Sequence, residues 1–215
     1  MKNTYYVIPA RKGSKGLPLK NRKLLPFTLE EIPENKKSTT IVSTDDEYIL
    51  NFAKNYGVKL HNRSVAAASD TASTKDFVSE IAHDFNMQPD DEIILMYLTY
   101  PERTFKDVEK IYKFFKDNNG TSLLCREESK IHVYRCFYAL EGHRGKKIVE
   151  HDLCRRQDYP ECFKSSHFLA ILKVESLKDL DSNLYYDQTL FYELNKDTVD
   201  IDNEKDLNAF IEKRK

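Results

Sequence analysis

The sequence predicts an α/β fold with a mainly parallel sheet flanked by helices. Strand-like and helix-like segments alternate along most of the 215 residues, and this order places helices on both faces of a parallel sheet. The run DEIILMYLT (91–99) is almost continuously apolar, as is typical of a strand that is buried on both faces. Both observations favour one domain, 1–215, with an extension at about 130–165.

The first half of the chain alternates strands with amphipathic helices. The predicted strands are TYYVIPA (4–10), TTIVSTD (39–45), VKLHNR (58–63) and DEIILMYLT. A helix over DEYILNFAKNYG (46–57) would place four side chains on one face and stop at Gly57: Ile49, Phe52, Ala53 and Tyr56. A second helix over 73–85 would carry its own apolar stripe: Phe77, Ile81, Ala82 and Phe85.

The second half continues this pattern around one interruption. A helix is predicted over 104–120, beginning with a Thr104 cap, and it is followed by the strand TSLLCRE (121–127). The extension then predicts a β-hairpin with Gly142 and Gly145 in its turn, followed by a basic loop. HFLAILKV (167–174) predicts a return strand, TVDID (198–202) a short strand, and the last thirteen residues a terminal helix.

Composition narrows the classes of function. Lys and Arg total 34 against 35 for Asp and Glu, so the net charge of −1 gives no support to a nucleic-acid partner. The longest apolar run, IILMYLTY, is too short to span a bilayer, and we expect no signal peptide and no membrane association. The four cysteines show no CxxC spacing and are expected to be reduced thiols in a cytoplasmic protein.

The stretch VIPARKGSKGLPLKN (7–21) follows the first predicted strand. In α/β sheets ligands bind at the carboxyl ends of strands, where a glycine-rich loop brings backbone N–H groups close to phosphate oxygens. Arg11, Lys15 and Lys20 could add charge-assisted hydrogen bonds. The loop matches neither GxxxxGK[ST] nor GxGxxG, and an ordinary solvated basic turn is the alternative for its glycines, serine and lysines alone. The complete order of residues is more specific than that.

Two aspartates near the C-terminus are candidate metal ligands. Alternation along a strand would place Asp200 and Asp202 on the same face, where the two carboxylates repel unless a cation lies between them. Mg²⁺ that bridges phosphate oxygens is the natural candidate. Alternatively, one of the aspartates or Asn203 caps the terminal helix, and both interpretations can hold at once.

These motifs together resemble the acylneuraminate cytidylyltransferases, the CMP–sialic acid synthetase family. IPARKGSKGLPLKN is similar to the nucleotide-binding loop of that family, and VDIDNEKDL is similar to its VDIDTEEDL motif. Between them, three further segments follow in the family's order and extend the resemblance over nearly the whole chain: NRSVAAASDTAST to RPxxLAxDxAxT, YPERTFKDVEKI to SPLRTxxDI, and RRQDYPECFK to RQxLPxxFR.

The resemblance implies a Rossmann-like nucleotidyltransferase fold, a homodimer joined through the β-hairpin extension, and a reaction of CTP with a keto-sugar acid that gives CMP-sugar and pyrophosphate. Arg11 and Lys20 would bind the triphosphate and stabilise the leaving pyrophosphate, and Asp202 would be the preferred Mg²⁺ ligand beside Asp200, close enough to help deprotonate the sugar hydroxyl. The remaining residues implied in nucleotide binding are Ser14, Lys15, Asn21, Arg63, Ala72 and Thr74. Among these, Arg63 and the backbone at Ala72 would read the cytosine edge.

The acceptor region departs from the family pattern. The family has QPTSP where this chain has YLTYP, so Tyr97 replaces a glutamine that contacts the sugar; it could stack on a substrate or simply be buried in the sheet. Beyond the RQxLPxxF motif, His167 replaces a glycine, and a sugar ligand, a general base and a packed ring are its open alternatives. The cationic and polar residues that could still bind an acidic substrate are Arg135, Arg156, Gln157 and Lys164.

Two interpretations of function remain open. The retained loop and aspartates favour a cytidylyltransferase for a sialic-acid-like or other keto-sugar acid. The altered acceptor region motivates the alternative, a divergent nucleotide-binding paralogue with weak or no catalysis that acts as a partner subunit. The segment TLEEIPENKK (28–37) also looks too short and too proline-interrupted for the full helix that the family has there.

Overall fold

The predicted alternation of strands and helices is confirmed. A computed structural model describes residues 2–13, 16–196 and 198–214. Strands in this part of the chain are Thr4–Pro9 (β1), Thr40–Thr44 (β2), Lys59–Asn62 (β3), Glu92–Leu95 (β4), Ser122–Glu128 (β5), Phe137–Leu140 (β6), Arg144–Lys147 (β7), Phe163–Lys173 (β8) and Leu190–Glu193 (β9). The α-helices are Lys20–Glu30 (α1), Glu47–Lys54 (α2), Val65–Ala68 (α3), Thr74–Asp84 (α4), Phe105–Asp117 (α5) and Glu204–Lys213 (α6).

Seven strands form one sheet in the order β3-β2-β1-β4-β8-β5-β9. The pairings β1–β2, β1–β4, β2–β3 and β5–β9 are parallel, whereas β8 runs antiparallel to both of its neighbours. The mainly parallel sheet is therefore confirmed. The carboxyl ends of β1, β2, β3 and β4 meet at one edge, which is where the predicted phosphate loop, the residues after β3 and the YLTYP segment come together.

Alternation along the central strands supplies two separate cores. Val7 packs with α4 side chains on one face of the sheet, and its neighbour Ile8 packs with α1 and α5 side chains on the other. Ile93 and Ile94 divide between the same two faces. Because both faces of these strands are covered, the continuous apolar run predicted a buried strand correctly.

Three polar residues fix where helices begin. Ser73 caps α4, Thr104 caps α5 and Asn203 caps α6, each in a reciprocal capping box with an aspartate three residues later. The cap of the terminal helix is thus Asn203 rather than Asp200 or Asp202, as one of the alternatives predicted.

Helix α1 begins at Lys20, within the stretch 7–21 that was predicted to be a phosphate-binding loop. Lys20 and Asn21 are its first residues, and Pro26 lies within it. A proline there forgoes the hydrogen bond to the carbonyl of residue i−4, but the helix buries Leu24, Leu25 and Leu29 against the sheet. The next segment, Glu34–Thr39, is a 3-10 helix, so TLEEIPENKK does not supply a full α-helix, as expected.

Other details of the prediction were wrong or incomplete. TVDID (198–202) was predicted to be a strand but is not one. The predicted alternation of buried and exposed side chains is nevertheless present, because Ile201 is fully buried between the exposed Asp200 and Asp202. Gly145 lies within β7 rather than in the turn, where Gly142 and His143 adopt positive φ values of 68° and 58°. Strand β9, at the sheet edge, was not predicted.

The hairpin of the extension forms its own two-stranded sheet. β6 and β7 pair antiparallel, separate from the main sheet, and Phe137 and Tyr138 remain 66% and 60% exposed. Across the described residues, no helix is long and apolar enough to cross a membrane.

Candidate nucleotide site

A cleft of about 270 Å³ lies at the carboxyl ends of β1, β3 and β4. It is lined from Pro9, where β1 ends, to the residues that follow β3 and β4. Six residues singled out from the sequence line it together: Arg11, Asn21, Arg63, Ala72, Thr74 and Tyr97. These residues come from five separate segments of the chain, so their convergence is a property of the fold.

Arg63 is the most firmly held cation of the cleft. Its side chain donates from Nε to Ser43 Oγ at 3.1 Å and from Nη2 to the Ser43 carbonyl at 3.1 Å, and its guanidinium lies 4.3 Å from the centre of the Phe77 ring. The residue is only 6% exposed. Burial lowers the pKa of Arg63 to about 10, so the guanidinium stays charged at neutral pH.

Arg11 lies at the mouth of the same cleft and is paired with a carboxylate. Its Nη1 donates to Asp70 Oδ1 at 2.9 Å and to the Ser69 carbonyl at 3.4 Å. Asn21, in the first turn of α1, donates to the Arg11 carbonyl at 2.8 Å and so fixes the backbone that carries Arg11. Of the other loop residues predicted to bind phosphate, Ser14 and Lys15 lie outside the described residues.

Lys20 faces the segment that carries the two aspartates. Its Nζ lies 2.9 Å from Asp202 Oδ1, and its side chain is 14% exposed. The loop before it approaches the same segment closely, because a Cβ at Gly16 would collide with the Asp202 carbonyl oxygen. Both cations predicted to bind the triphosphate, Arg11 and Lys20, are therefore paired with carboxylates here.

Asp200 and Asp202 are held by the residue between them. The Ile201 N–H donates to the Thr99 carbonyl at 2.9 Å, which anchors the segment beside the end of β4. Asp200 accepts from the Tyr100 hydroxyl at 3.3 Å. Their exposed carboxylate oxygens are of the kind that Mg²⁺ prefers, and phosphate oxygens and water could complete its coordination. The residues present therefore fit a magnesium ion.

Among the described residues, neither Asp200 nor Asp202 belongs to a group of three side chains that could hold a metal ion. Within the described ranges, the one group of three acidic or histidine side chains whose ligand atoms lie within 4.8 Å of one another is His61, Glu80 and Asp84. In that group the carboxylates are already hydrogen-bonded to the His61 ring and to the residues around it.

Tyr97 lines the cleft, and its ring contacts that of His167, which is not among the lining residues. Their ring centres lie 5.1 Å apart, with Tyr97 half-buried and His167 exposed. Burial raises the pKa of Tyr97 to about 12, against a smaller opposing effect of its hydrogen bond with Thr74. Tyr97 thus lines the cleft beneath an exposed imidazole, rather than lying wholly within the sheet.

The four residues predicted to bind the acidic substrate do not join this cleft. Arg135, Arg156, Gln157 and Lys164 are all exposed. Arg156 and Lys164 line a second hollow, of about 710 Å³, and Lys164 pairs there with Glu127 at 3.1 Å. Arg135 and Gln157 lie on the extension, on either side of its hairpin.

Sequence reasoning missed several residues that hold the cleft together. Arg103 was quoted within YPERT but given no role; it is buried and its Nη1 donates to the carbonyls of Tyr97 and Phe168 at 3.0 and 2.5 Å. Asp70, the partner of Arg11, was quoted within SDTAST in the same way. Ser43 and His61 lie in strands that the sequence marked only as apolar or short, so no local signal distinguished them.

Comparison with known proteins gives a cytidylyltransferase family model and several curated cytidylyltransferases. The model of the cytidylyltransferase family matches residues 5–119, which contain all six cleft residues and end before the extension. The pseudaminic acid cytidylyltransferase of Campylobacter jejuni subsp. jejuni serotype O:23/36 is 31% identical over 170 residues, which cover 73% of this chain and 72% of that protein. The N-acylneuraminate cytidylyltransferase of Streptococcus agalactiae serotype V is 23% identical over 213 residues, 94% of this chain and 51% of that protein.

Solved structures share the fold. A CMP:2-keto-3-deoxy-manno-octonic acid synthetase in complex with CTP superposes with a TM-score of 0.66 at 16% identity and covers all of both chains. A 4-diphosphocytidyl-2C-methyl-D-erythritol synthase from Anaerococcus prevotii superposes with a TM-score of 0.65 at 12% identity, over 98% of this chain and 96% of that one.

Proposed function

Because this chain belongs to the cytidylyltransferase family, we propose that it couples CTP to a sialic-acid-like keto-sugar acid and releases pyrophosphate. Its relatives support a CTP-dependent nucleotidyltransferase that acts on sugar acids. The observation that carries the proposal is the convergence of Arg11, Arg63 and Ala72 in one cleft at the carboxyl ends of parallel strands.

The cytosine base would lie against Arg63. The two hydrogen bonds to Ser43 use Nε and Nη2, and no hydrogen bond to Nη1 is formed by the described residues, so that nitrogen is available to an acceptor on the base. The Ala72 backbone and Thr74 line the same cleft and would complete the contacts with the nucleoside. An arginine held through Nε and Nη2 presents Nη1 as a fixed donor, which suits recognition of a planar base.

When the triphosphate binds, its oxygens would replace the carboxylates that now pair with Arg11 and Lys20. Arg11 would leave Asp70, and Lys20 would leave Asp202, for phosphate oxygens that carry more charge. Both released pairs are at least partly exposed to solvent, so breaking them costs little. As the acceptor hydroxyl attacks the α-phosphorus in line, Arg11 and Lys20 would stabilise the charge that develops on the leaving pyrophosphate.

Asp200 and Asp202 would hold Mg²⁺. When bound, that ion would neutralise phosphate charge and orient the triphosphate. Once Lys20 turns to the phosphates, Asp202 is also free to accept a proton from the sugar hydroxyl. Asp200 keeps its contact with Tyr100, and the anchored Ile201 holds both carboxylates at the same edge of the sheet.

The acceptor would be an acid bound between the cleft and the extension. Tyr97 lines the nucleotide cleft and contacts His167, and Lys164 and Arg156 would supply cations for a substrate carboxylate. Arg135, Arg156 and Gln157 lie on an exposed extension whose hairpin displays Phe137 and Tyr138, which supports a homodimer in which the extension of one subunit reaches the acceptor site of the other. We place the reaction in the cytoplasm, a location that the free thiols of all four cysteines support.

Pyrophosphate release tests the proposed reaction. The purified protein is incubated with CTP, Mg²⁺ and one of four acids: pseudaminate, N-acetylneuraminate, legionaminate or 3-deoxy-manno-octulosonate. We expect release with one class of acid and with CTP but not with UTP, and release slower by roughly a hundredfold or more from the Arg11→Ala variant under the same conditions. CTP binding without turnover on any of these acids would contradict the proposal and favour a nucleotide-binding partner subunit.

A further inference from the structure

We infer that His61 is a positioning residue for Arg63, acting through Ser43, and that it thereby sets the affinity of the cleft for CTP. The inference rests on the proposed function, because it takes Arg63 as the residue that contacts the base. His61 lies in β3, two residues before Arg63, and contacts the same Ser43 hydroxyl oxygen as the guanidinium. It does not line the cleft.

An unbroken chain of hydrogen bonds connects the two residues. Arg63 Nε lies 3.1 Å from Ser43 Oγ, and Ser43 Oγ lies 2.9 Å from His61 Nδ1. On its other side, His61 Nε2 lies 3.2 Å from Asp84 Oδ2 and 3.4 Å from Glu80 Oε1. Arg63, Ser43 and His61 are all buried, so each of these polar groups depends on the next for its partner.

When His61 is neutral, the donor and the acceptor of each of these hydrogen bonds can be assigned in only one way. The Arg63 Nε–H can only donate, so Ser43 Oγ accepts from it and donates its own hydrogen to His61 Nδ1. Nδ1 must then be the unprotonated nitrogen, and Nε2–H donates to the carboxylates on α4. The partners at both ends therefore select one tautomer and fix the Ser43 hydroxyl.

The Glu80 carboxylate also holds the backbone next to Arg63. Its Oε1 accepts from the Ser64 N–H at 2.8 Å, and Ser64 is the residue immediately after Arg63. One carboxylate thus contacts both the His61 ring and the backbone next to Arg63. Without the His61 acceptor, the Ser43 hydroxyl would be free to rotate and its hydrogen bond with Arg63 Nε would weaken. The guanidinium would then be held mainly by the Ser43 carbonyl and the Phe77 ring, and its orientation in the cleft would be less fixed.

Two substitutions at position 61 separate this role from simple packing. His61→Asn keeps an acceptor oxygen close to the position of Nδ1 and gives up the carboxylates. His61→Gln keeps an amide nitrogen close to the position of Nε2 and gives up the acceptor for Ser43. We expect His61→Gln and Ser43→Ala to raise KM for CTP about fivefold or more with kcat little changed, and His61→Asn to stay close to wild type. The matched control is His143→Gln, the same exchange at an exposed histidine in the turn of the extension's hairpin, which should leave KM for CTP unchanged.

Steady-state kinetics are combined with direct CTP titration of each variant and of Arg63→Ala. Weaker CTP binding in Arg63→Ala, Ser43→Ala and His61→Gln, but not in His61→Asn, supports the inference, and the Ser43→Ala/His61→Gln double variant should bind no worse than Ser43→Ala alone. If Arg63→Ala weakens CTP binding and neither Ser43→Ala nor His61→Gln does, only the positioning role is overturned. If Arg63→Ala binds CTP as wild type does, the assignment of Arg63 to the base fails, and the positioning role fails with it. A lower melting temperature with unchanged KM would show a merely structural His61 and would also overturn the inference.

Discussion

The nucleotide cleft and the extension differ in how completely one chain builds them. Arg63 in the cleft is buried, hydrogen-bonded twice to a strand and packed on an aromatic ring. Arg156 in the extension is exposed, lies in a three-residue 3-10 turn and borders an open hollow. The first side chain is held in place before any ligand arrives, whereas the second must be ordered by its ligand or by a neighbouring subunit.

The difference follows from the position of each region relative to the sheet. Parallel strands end at a common edge, so the sheet alone brings together residues that are far apart in sequence. The extension leaves the sheet between β5 and β8 and forms only a two-stranded sheet of its own, which is too small to bury its side chains. We therefore expect substitutions in the cleft to affect CTP, and substitutions in the extension to affect the sugar acid.

The largest effect is expected at Arg11. Because it would stabilise charge on the departing pyrophosphate, Arg11→Ala should reduce turnover by roughly a hundredfold or more. The measurement is pyrophosphate release at saturating CTP and sugar acid. Lys12→Ala, at the exposed neighbouring position in the same loop, is the control and should stay close to wild type. Near-normal turnover in Arg11→Ala would exclude this arginine from the reaction.

Removal of the metal or of its main ligand should have a similar effect. Chelation of Mg²⁺ should stop pyrophosphate release, and Asp202→Ala should lower turnover by about a hundredfold, because the ion that would neutralise phosphate charge loses a ligand. A titration with Mg²⁺ should show a higher requirement in Asp202→Ala, and Asp187→Asn, an exposed position elsewhere, provides the control. Normal turnover and normal Mg²⁺ dependence in Asp202→Ala would refute the assigned ligand.

A smaller and more selective effect is expected in the extension. Arg156→Ala should raise KM for the sugar acid about tenfold, because a charge-assisted hydrogen bond to the substrate carboxylate is lost, and should leave KM for CTP unchanged. The neighbouring Arg155→Ala is the matched control, since that exposed arginine pairs locally with Asp158. A change in KM for CTP instead would show that the two regions are not separable.

The smallest effect on activity is expected at Glu92, in the core of the sheet. Burial by itself would raise the pKa of Glu92, but hydrogen bonds from Lys2, Tyr112 and Lys116 outweigh it and leave the pKa below the ordinary value of 4.5. A lowered pKa in the folded state means that this carboxylate stabilises the fold above about pH 4.5 and that the stabilisation is lost as the pH falls through the folded-state pKa.

Glu92→Gln should therefore unfold more easily at neutral pH, by about 1–3 kcal/mol, and should lose less stability than wild type on acidification. Denaturant unfolding at pH 7 and in steps below pH 4.5 measures both. Turnover at neutral pH should not change, and Glu109→Gln, an exposed position on α5, should match wild type throughout. A Glu92→Gln variant with wild-type acid sensitivity would show that the ion pairs contribute nothing.

The sequence predicted the residues that line the cleft better than the residues that hold them in place. Arg63, Ala72 and Thr74 were implied by the family resemblance. Caps and apolar periodicity mark the boundaries that place them after β3 and at the start of α4, so their meeting point could be inferred. Helix α1 was not predicted, because Pro26 and the glycines before it favour a loop, while the burial that stabilises the helix depends on distant strands. The link from Arg63 through Ser43 to His61 joins β2 to β3 side by side, and no pattern within either strand reveals it.

The most direct test of the account is titration of CTP, without any sugar acid, into the wild-type protein and the variants Arg63→Ala and Arg156→Ala. The account predicts that wild type and Arg156→Ala bind CTP equally well, because the cleft is complete within one chain, and that Arg63→Ala binds it much more weakly. Equal binding by Arg63→Ala, or lost binding by Arg156→Ala, would contradict the division between a preformed nucleotide cleft and an extension that serves the acceptor.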